Sequence, residues 1–337
     1  MRRVDGLFEQ VVRFDNLLAA ERRAARGKRD RDSVARFEFH LERELIRLQE
    51  ELIDGSYRPG AFCTFEVRDP KRRAICAAPF RDRVVHHAVC HVLEPVLERR
   101  SIHDSYACRV GKGTHAAISR ARVLARRFGF FLKCDVRRFF ASVDHVVLED
   151  LLARLLKDRR LLALLSRIIA HGPPGATPGV GLPIGNLTSQ HFANLYLGEL
   201  DHQVKERLRV AGYLRYMDDL LLFAQDKPTL HLHLAEIRRF LAERLRLGLK
   251  ESATMIAPVT EGIPFLGFRV YPGTVRLNQR TRRRFRTQMR ALERGASLGA
   301  LDVDALGNRA ASLFAHVAHG DSFRLRREVA DASILPG

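Results

Sequence analysis

The sequence predicts an α+β fold, with helices packed around a small antiparallel sheet. Residues 213–223 place apolar and aromatic runs on both sides of Asp218 and Asp219, a pattern typical of a strand–turn–strand hairpin with both aspartates at its tip. Residues 131–136 alternate apolar and polar side chains, which predicts a strand that ends at or near Asp135. Several stretches with apolar residues three or four positions apart predict the helices.

The first 60 residues predict a helical region. Residues 7–18 have helical periodicity, and the basic stretch 22–31 is expected to be a loop. Ser33 is a candidate N-cap for the next helix, which Asp54 and Gly55 end. The apolar stripe of that helix consists of Phe37, Leu41, Leu45, Leu48 and Leu52.

Two more helices are expected beyond the first strand. Residues 146–169 form a long apolar stretch with helical spacing, and residues 172–181 form a loop rich in Gly and Pro. Residues 234–247 predict an amphipathic helix after the Asp-Asp hairpin.

Length and charge limit the classes of protein to consider. The 337 residues are enough for two or three domains. The chain has 58 Lys and Arg against 39 Asp and Glu, a formal charge of +19, which indicates a polyanionic partner and most plausibly a nucleic acid. A ribosomal or membrane-surface role would also fit this charge.

The cysteines and the hydropathy pattern predict a cytoplasmic protein. The five cysteines include no Cys-x-x-Cys pair, so reduced thiols are expected. Charged residues interrupt the apolar ones from Arg2 onward, so no signal peptide is expected. No apolar run approaches the ~20 residues that span a bilayer.

Three aspartates carry the main functional prediction. An aspartate that ends a buried strand beside a hairpin with two more can complete a carboxylate cluster, here Asp135, Asp218 and Asp219. Such a cluster binds two Mg²⁺ ions ~3.5–4 Å apart and can stabilise both the attacking and the leaving oxygen of phosphoryl transfer. The alternative for an Asp-Asp pair alone is an ordinary surface turn.

At these residues the chain resembles a known family. Tyr-Met-Asp-Asp on a hairpin, preceded by Asp-x-x-x-Phe-Phe at residues 135–140, resembles the palm of reverse transcriptases. The resemblance implies a right-hand polymerase fold with fingers, palm and helical thumb, and an RNA-directed DNA polymerase. It also implies that the carbonyl of Val136 assists the three aspartates in binding Mg²⁺, with Mn²⁺ able to substitute.

The resemblance extends over nearly the whole chain. Residues 79–87 and 104–115 resemble the fingers of bacterial reverse transcriptases, and residues 262–270 resemble the hairpin that grips the primer end. A basic stretch at residues 280–294 is expected to be the thumb helix against the nucleic-acid backbone, although it could be only a solvated helix face. The seven arginines of this stretch are Arg280, Arg282, Arg283, Arg284, Arg286, Arg290 and Arg294.

The implied domains follow from these matches. Residues 1–130 are expected to form the fingers with an N-terminal helical extension. Residues 131–270 would form the palm, including part of the fingers near 150–185, and residues 271–337 the thumb. No RNase H, endonuclease or maturase domain is expected after the thumb, so partners would supply priming, RNA recognition and integration.

Further site residues are implied by position. Cations on a hairpin above the carboxylates would suit a nucleoside triphosphate, although a solvated basic loop is the alternative. These cations are Lys71, Arg72 and Arg73. Lys250 falls where the family keeps a lysine able to protonate pyrophosphate, and a surface lysine is the alternative.

Two aromatic residues follow the first aspartate. Phe140 lies five residues after Asp135, where reverse transcriptases place a ring under the incoming sugar. The alternative is that Phe139 and Phe140 are both core residues, and one of them is expected to be, because neighbours on a strand or turn point in different directions.

Residues 182–195 resemble the loop that contacts the templating base pair. Gly185 allows close approach of backbone to a ligand, and Asn186 is a candidate N-cap for the following helix. Retroviral and group II intron enzymes carry Gln and Pro where this chain has Ile184 and Gln190. This variant looks like the reverse transcriptases of diversity-generating retroelements, which copy RNA with errors at adenines. An apolar Ile184 would lose hydrogen bonds that a Gln could make.

The implied partners are an RNA template, a primer or cDNA, and dNTPs. In the diversity-generating family they also include a small basic accessory protein and a structured template RNA. Two alternatives remain open: an antiphage defence or other retroelement reverse transcriptase, and a catalytically idle RNA-binding scaffold of the same fold.

Overall fold

The structure, a computed structural model, describes residues 3–68, 72–173, 175–299 and 302–332. The N-terminal region is helical, as predicted, with different boundaries. Its helices are α1 (Leu7–Val12), α2 (Phe14–Ala25), α3 (Asp32–Phe39) and α4 (Leu41–Ile53).

Three boundary predictions in this region were wrong. Ser33 is not the N-cap, because α3 begins at Asp32 and Ser33 lies within its first turn. Arg22 and Arg23 lie in α2 and not in a loop, because buried Ala20 and Ala24 continue the apolar face while the arginines point to solvent. The helix expected from Ser33 to Leu52 is divided at His40, whose non-helical backbone separates α3 from α4. Asp54 ends α4 as expected.

A two-stranded hairpin and two helices follow. The hairpin consists of β1 (Cys63–Arg68) and β2 (Arg72–Ala77), which pair antiparallel. The helices are α5 (Phe80–Arg100) and α6 (Thr114–Arg127).

The central sheet is antiparallel, with strand order β4-β5-β3-β6. The strands are β3 (Phe130–Asp135), β4 (Gly212–Tyr216), β5 (Asp219–Ala224) and β6 (Met255–Pro258). The predicted strand and hairpin are therefore confirmed within a residue or two. The sheet pairs segments far apart in sequence, which brings the carboxylate-bearing segments together.

Helices connect these strands and cover one face of the sheet. They are α7 (Phe139–Ser142), α8 (His145–Leu155), α9 (Arg159–Ala170), α10 (Leu187–His202) and α11 (Lys227–Leu245). The single helix expected at residues 146–169 is two, because the Asp158 carboxylate accepts from Leu161 N and starts a new helix. Helix α11 begins earlier than predicted because Asp226 caps it through Thr229 N.

The C-terminal part contains a small three-stranded sheet and a helical layer. The strands are β7 (Ile263–Phe265), β8 (Phe268–Val270) and β9 (Val275–Leu277). The helices are α12 (Gln279–Ser297), α13 (Val303–Ala318) and α14 (Phe323–Ala332). The basic helix predicted at residues 280–294 is thus confirmed as α12.

The two faces of the central sheet belong to different hydrophobic cores. Leu132 and Leu222 face the larger core, which includes the N-terminal helices, α5 and α8 to α11. Phe131 and Leu221 face the second core, which joins α6 to β7–β9 and the C-terminal helices. The central sheet, which carries Asp135 and Asp219, therefore lies between these two cores.

The predictions about cysteines and membrane spans concern the whole chain. All five cysteines are free thiols, and Cys76, Cys90 and Cys134 are buried. Among the helices that the structure describes, none is both long and apolar enough to cross a membrane.

Candidate active site

The Asp-Asp hairpin turns through Met217 and Asp218. Tyr216 pairs with Asp219 across the hairpin, and Met217 has a left-handed backbone with φ 54°. Asp218 therefore lies in the turn, whereas Asp219 is the first residue of β5. This corrects the expectation that both aspartates are at the tip, since a two-residue turn leaves only one of them outside the strands.

Asp135 lies directly opposite Asp219 in the antiparallel pairing of β3 and β5. The backbone N of Val136 also donates to the carbonyl of Asp218, at 3.3 Å. The three predicted aspartates are therefore brought to the same end of the sheet.

The charges of these aspartates influence one another. Burial, and then the nearby charge of Asp135, raise the pKa of Asp218 to about 6. Asp219 adds to this effect, and the positive charge of Arg73 opposes it. Because neighbouring carboxylates disfavour the ionisation of Asp218, the site suits a divalent cation, which would offset the repulsion.

Within the described ranges, no three His, Cys, Asp or Glu side chains already stand in a metal-binding arrangement. Asp219 is engaged by a neighbouring cation. Nζ of Lys133 lies 3.0 Å from Oδ1 of Asp219 and also donates to the carbonyl of Pro264 at 2.8 Å.

A buried arginine holds the hairpin turn from beneath. Arg215, only 1% exposed, makes two hydrogen bonds to Asp201 of α10, at 2.8 and 2.7 Å. Its Nη1 also donates to the carbonyl of Met217, at 3.0 Å. Because the guanidinium is planar and rigid, these bonds fix the turn relative to α10.

The same strand is joined to the segment before α6. Arg215 N donates to Asp104 O, and Tyr106 N donates to Arg215 O, both at 2.9 Å. Thr114, at the start of α6, donates through Oγ1 to the hydroxyl of Tyr216 at 3.2 Å. The residues that resemble fingers motifs thus contact the Asp-Asp hairpin directly.

The predicted triphosphate-binding cations differ in their surroundings. Lys71 lies outside the described residues. Arg72 forms a salt bridge with Glu66 at 2.7 Å on the exposed surface of the β1–β2 hairpin. Arg73 is the cation whose charge reaches Asp218.

The two phenylalanines after Asp135 occupy different environments. Phe139 is buried in the larger core, whereas Phe140 is only partly buried and packs edge-on against it with ring centroids 5.6 Å apart. One of the pair is thus a core residue, as expected, and Phe140 is the one with an accessible ring.

The loop before α10 is tied to β2. Ile184 O accepts from Cys76 N at 2.8 Å, and the exposed Gly185 has φ +115°. A Cβ on Gly185 would lie 2.7 Å from Cγ2 of Ile75, so a glycine is required for this close approach.

Asn186 occupies the N-cap position of α10, as predicted, but not through the expected side-chain hydrogen bond. Its side chain makes no cap hydrogen bond. Instead its Oδ1 accepts from Ala78 N and its Nδ2 donates to Cys76 O, at 3.2 and 3.0 Å. The side chain therefore ties the start of α10 to the end of β2.

Two remaining candidates have clear locations. Lys250 N donates to the carbonyl of Asp135 at 2.8 Å, so its backbone adjoins the first aspartate. Gln190 accepts at Oε1 from Sγ of Cys108 at 3.3 Å, beside α5. Their roles as catalytic and substrate-binding residues stay predictions.

Sequence reasoning missed Lys133 and Arg215. For Lys133 a signal existed, because side chains two positions apart on a strand share a face and Lys133 is two before Asp135. For Arg215 the signal was a charged residue within an otherwise apolar strand. Its partner Asp201 lies on a helix 14 residues upstream, and only the fold brings the two together.

A comparison with protein families agrees with this geometry. The family model described as "Reverse transcriptase (RNA-dependent DNA polymerase)" matches residues 66–270, which include β3, the loop before α10 and the Asp-Asp hairpin.

Curated relatives are similar over parts of the chain. Protein YkfC of Escherichia coli K12 is 25% identical over 270 residues, covering 67% of this chain and 71% of YkfC. The group II intron-encoded protein LtrA of Lactococcus lactis is 26% identical over 200 residues, covering 56% of this chain but only 32% of LtrA. The chain thus spans about a third of LtrA.

Solved telomerases share the fold. The truncated apo telomerase of Candida tropicalis aligns with a TM-score of 0.52 at 13% identity, covering 65% of this chain and 55% of that one. The telomerase of Candida albicans in complex with a TWJ fragment of telomeric RNA aligns with a TM-score of 0.51 at 13% identity, covering 82% and 60%. These likenesses confirm the right-hand fold. The family match over residues 66–270 shows that the chain belongs to the reverse transcriptase family.

Proposed function

We propose that this protein is an RNA-directed DNA polymerase that makes cDNA by nucleotidyl transfer. The observation that carries the proposal is the convergence of Asp135, Asp218 and Asp219 at one end of the sheet, with the pKa of Asp218 raised to about 6 by burial and by Asp135. Reverse transcriptases in general use divalent metal ions, and this donor set has the hard oxygen ligands that Mg²⁺ prefers.

The three carboxylates and the carbonyl of Val136 would hold two Mg²⁺ ions, for which Mn²⁺ could substitute. When bound, the ions supply charge stabilisation at the attacking and leaving oxygens. The protein's own residues position the substrates around them. Phe140 would pack against the deoxyribose, and Gly185 would let the backbone approach the new base pair.

Cations complete the proposed substrate site. Arg72 and Arg73, together with Lys71, which precedes them in the sequence, would attract the triphosphate, since charge-assisted contacts to phosphate are strong. Lys250 would donate a proton to the leaving pyrophosphate.

The test is primer extension on an RNA template with the variant Asp218→Ala. Extension should be abolished, while the melting temperature and the affinity for RNA stay close to those of the parent. Asp150→Ala is the matched control, because it removes an exposed carboxylate on α8. A variant at Asp218 that extends primers as well as the parent would show that the aspartates are not the catalytic site. A parent that binds RNA but never extends a primer would favour the idle scaffold.

We further propose that the enzyme is the error-prone polymerase of a diversity-generating retroelement. The support is the pair Ile184, in the loop before α10, and Gln190, in the first turn of α10. The curated relatives include intron-encoded proteins, and another retroelement or an antiphage role is the alternative. A small basic accessory protein and a structured template RNA would then be its partners, in the cytoplasm, where reduced thiols are stable.

The fidelity prediction concerns Ile184. Because an amide restores hydrogen bonds that an apolar side chain lacks, Ile184→Gln should lower misincorporation, most strongly opposite template adenine. Sequencing of cDNA copied from an adenine-rich template measures this, with Leu232→Gln as a control at an exposed apolar position on α11. An error spectrum that is unchanged in Ile184→Gln would show that Ile184 does not influence the fidelity of copying. Near-duplicate DNA repeats beside the gene that differ at adenines would identify the retroelement independently.

The proposed division into fingers (1–130), palm (131–270) and thumb (271–337) accompanies this function. The larger core runs through the first two of these units, from Leu7 to Leu249, so we expect the fingers and palm to unfold together.

A further inference from the structure

Lys133 is a cation built into the carboxylate cluster. It lies two residues before Asp135 on β3, so both side chains leave the same face of the sheet. Asp219 lies on β5, directly opposite Asp135. Nζ of Lys133 is 3.0 Å from Oδ1 and 3.3 Å from Oδ2 of Asp219, so the ammonium contacts both oxygens.

The same ammonium contacts a second element. It donates to the carbonyl of Pro264 on β7 at 2.8 Å, and β7 belongs to the hairpin that resembles a primer grip. The side chains of Lys133 and Asp219 are only 16% and 20% exposed. Water and salt therefore screen this pair less than a surface ion pair.

We propose that Lys133 is a positioning residue that shares Asp219 with the divalent cation and holds that carboxylate in place against the β7–β8 hairpin. The inference rests on the proposed function of the three aspartates. A cation that approaches Asp219 meets the ammonium, and the two positive charges repel each other. Binding of the metal ion is therefore weak until a polyanionic triphosphate adds its negative charge.

Loss of Lys133 should change the metal affinity in the direction opposite to that expected from structural damage. Removal of a lysine that merely supports the fold would loosen the carboxylates and weaken metal binding. Removal of an ammonium that competes with the metal should strengthen it. At a distance of a few ångströms, the Coulomb repulsion exceeds the free energy of a tenfold change in affinity, even with an effective dielectric constant of about 20.

The experiment measures Mn²⁺ binding by electron paramagnetic resonance, without nucleotide, in the full-length protein. Lys133→Met should bind Mn²⁺ at least about tenfold more tightly than the parent. Lys227→Met is the matched control, because Lys227 lies over the ring of Phe130 at the opposite end of β3 and should leave the affinity unchanged. Lys133→Arg, which keeps the charge, should keep the weak affinity of the parent.

Thermal unfolding accompanies each measurement. If Lys133→Met does not fold, Lys133→Gln provides the same comparison, because its amide can still donate to Pro264 O. Equal Mn²⁺ affinity in the parent and in a folded neutral variant would overturn the role of Lys133, even if both extend primers. A parent that neither binds Mn²⁺ nor extends primers would instead overturn the proposed function.

Discussion

At the scale of single residues, Asp218 and Asp219 are neighbours in sequence with different surroundings. Asp218 lies in the turn, where burial and the charge of Asp135 raise its pKa to about 6. Asp219 begins a strand and contacts the ammonium of Lys133. The sequence predicted that both are site residues. It could not assign them different environments, because the difference depends on cross-strand neighbours.

Phe140 is expected to select the sugar of the incoming nucleotide. Its ring is partly exposed beside buried Phe139, and a ribose 2′-hydroxyl would collide with it. If the clash amounts to ~2–3 kcal/mol, Phe140→Ala should improve the relative use of ribonucleotides by ~10²-fold. Single-nucleotide insertion of dGTP and GTP on one primed template measures this.

Phe139→Ala is the control for that experiment. It removes a ring of similar size from the core, so it should lower stability by ~3–5 kcal/mol without changing sugar discrimination. Equal discrimination in the parent and in Phe140→Ala would exclude Phe140 as the gate. Ready use of GTP by the parent would indicate an RNA polymerase.

At the scale of elements, the predictions succeeded where local pattern and tertiary packing agree. This holds for the strand at Asp135, the Asp-Asp hairpin and the basic helix α12. In each of them the apolar residues recur at the spacing that places them against a hydrophobic core. The errors lie at boundaries. Arg22 and Arg23 extend α2 because the buried face continues on its other side, and the side chain of Asn186 bonds to β2 instead of to the first turn of α10. Such choices depend on residues that are distant in sequence.

The Asp-Asp hairpin is held in place by Arg215, which bonds to both Asp201 and the carbonyl of Met217. Arg215→Lys keeps a positive charge beside Asp201 but cannot reach both Asp201 and the carbonyl of Met217. We expect kcat to fall by about tenfold while KM for dNTP changes little, because the turn that carries Asp218 is less well positioned. Arg215→Met should instead destabilise the protein by ~3–5 kcal/mol, because buried Asp201 loses its partner. Steady-state kinetics and thermal unfolding separate the two effects.

Arg120→Lys is the matched control for Arg215→Lys. Arg120 pairs with Asp104 through two hydrogen bonds, at 2.9 and 3.1 Å, but it does not contact the turn. If both lysine variants lower kcat equally, the hydrogen bond to Met217 O is not what positions the hairpin.

At the scale of the whole molecule, some of the basic residues that give the chain its formal charge of +19 line a groove. This groove, of about 740 Å³, is lined by the β7–β8 turn, α12 and α13. Arg280 and Arg284 line it, as does Thr114, which bonds to Tyr216 of the Asp-Asp hairpin. Composition alone indicated a polyanionic partner. The location of the positive charge next to the hairpin follows only from the fold.

We therefore expect nucleic acid bound in this groove to contact Arg280 and Arg284. Each phosphate contact makes the negative slope of log K against log salt concentration steeper by about 0.7–0.9. The double variant Arg280→Gln/Arg284→Gln should then make the slope for a primed RNA template less steep by about 1.5. Arg283→Gln/Arg290→Gln removes the same charge from α12 at exposed positions that do not line the groove, and it should change the slope much less. Fluorescence anisotropy over a series of salt concentrations measures both slopes. If the two double variants make the slope less steep by equal amounts, the attraction comes from the net charge of the molecule and not from contacts in this groove.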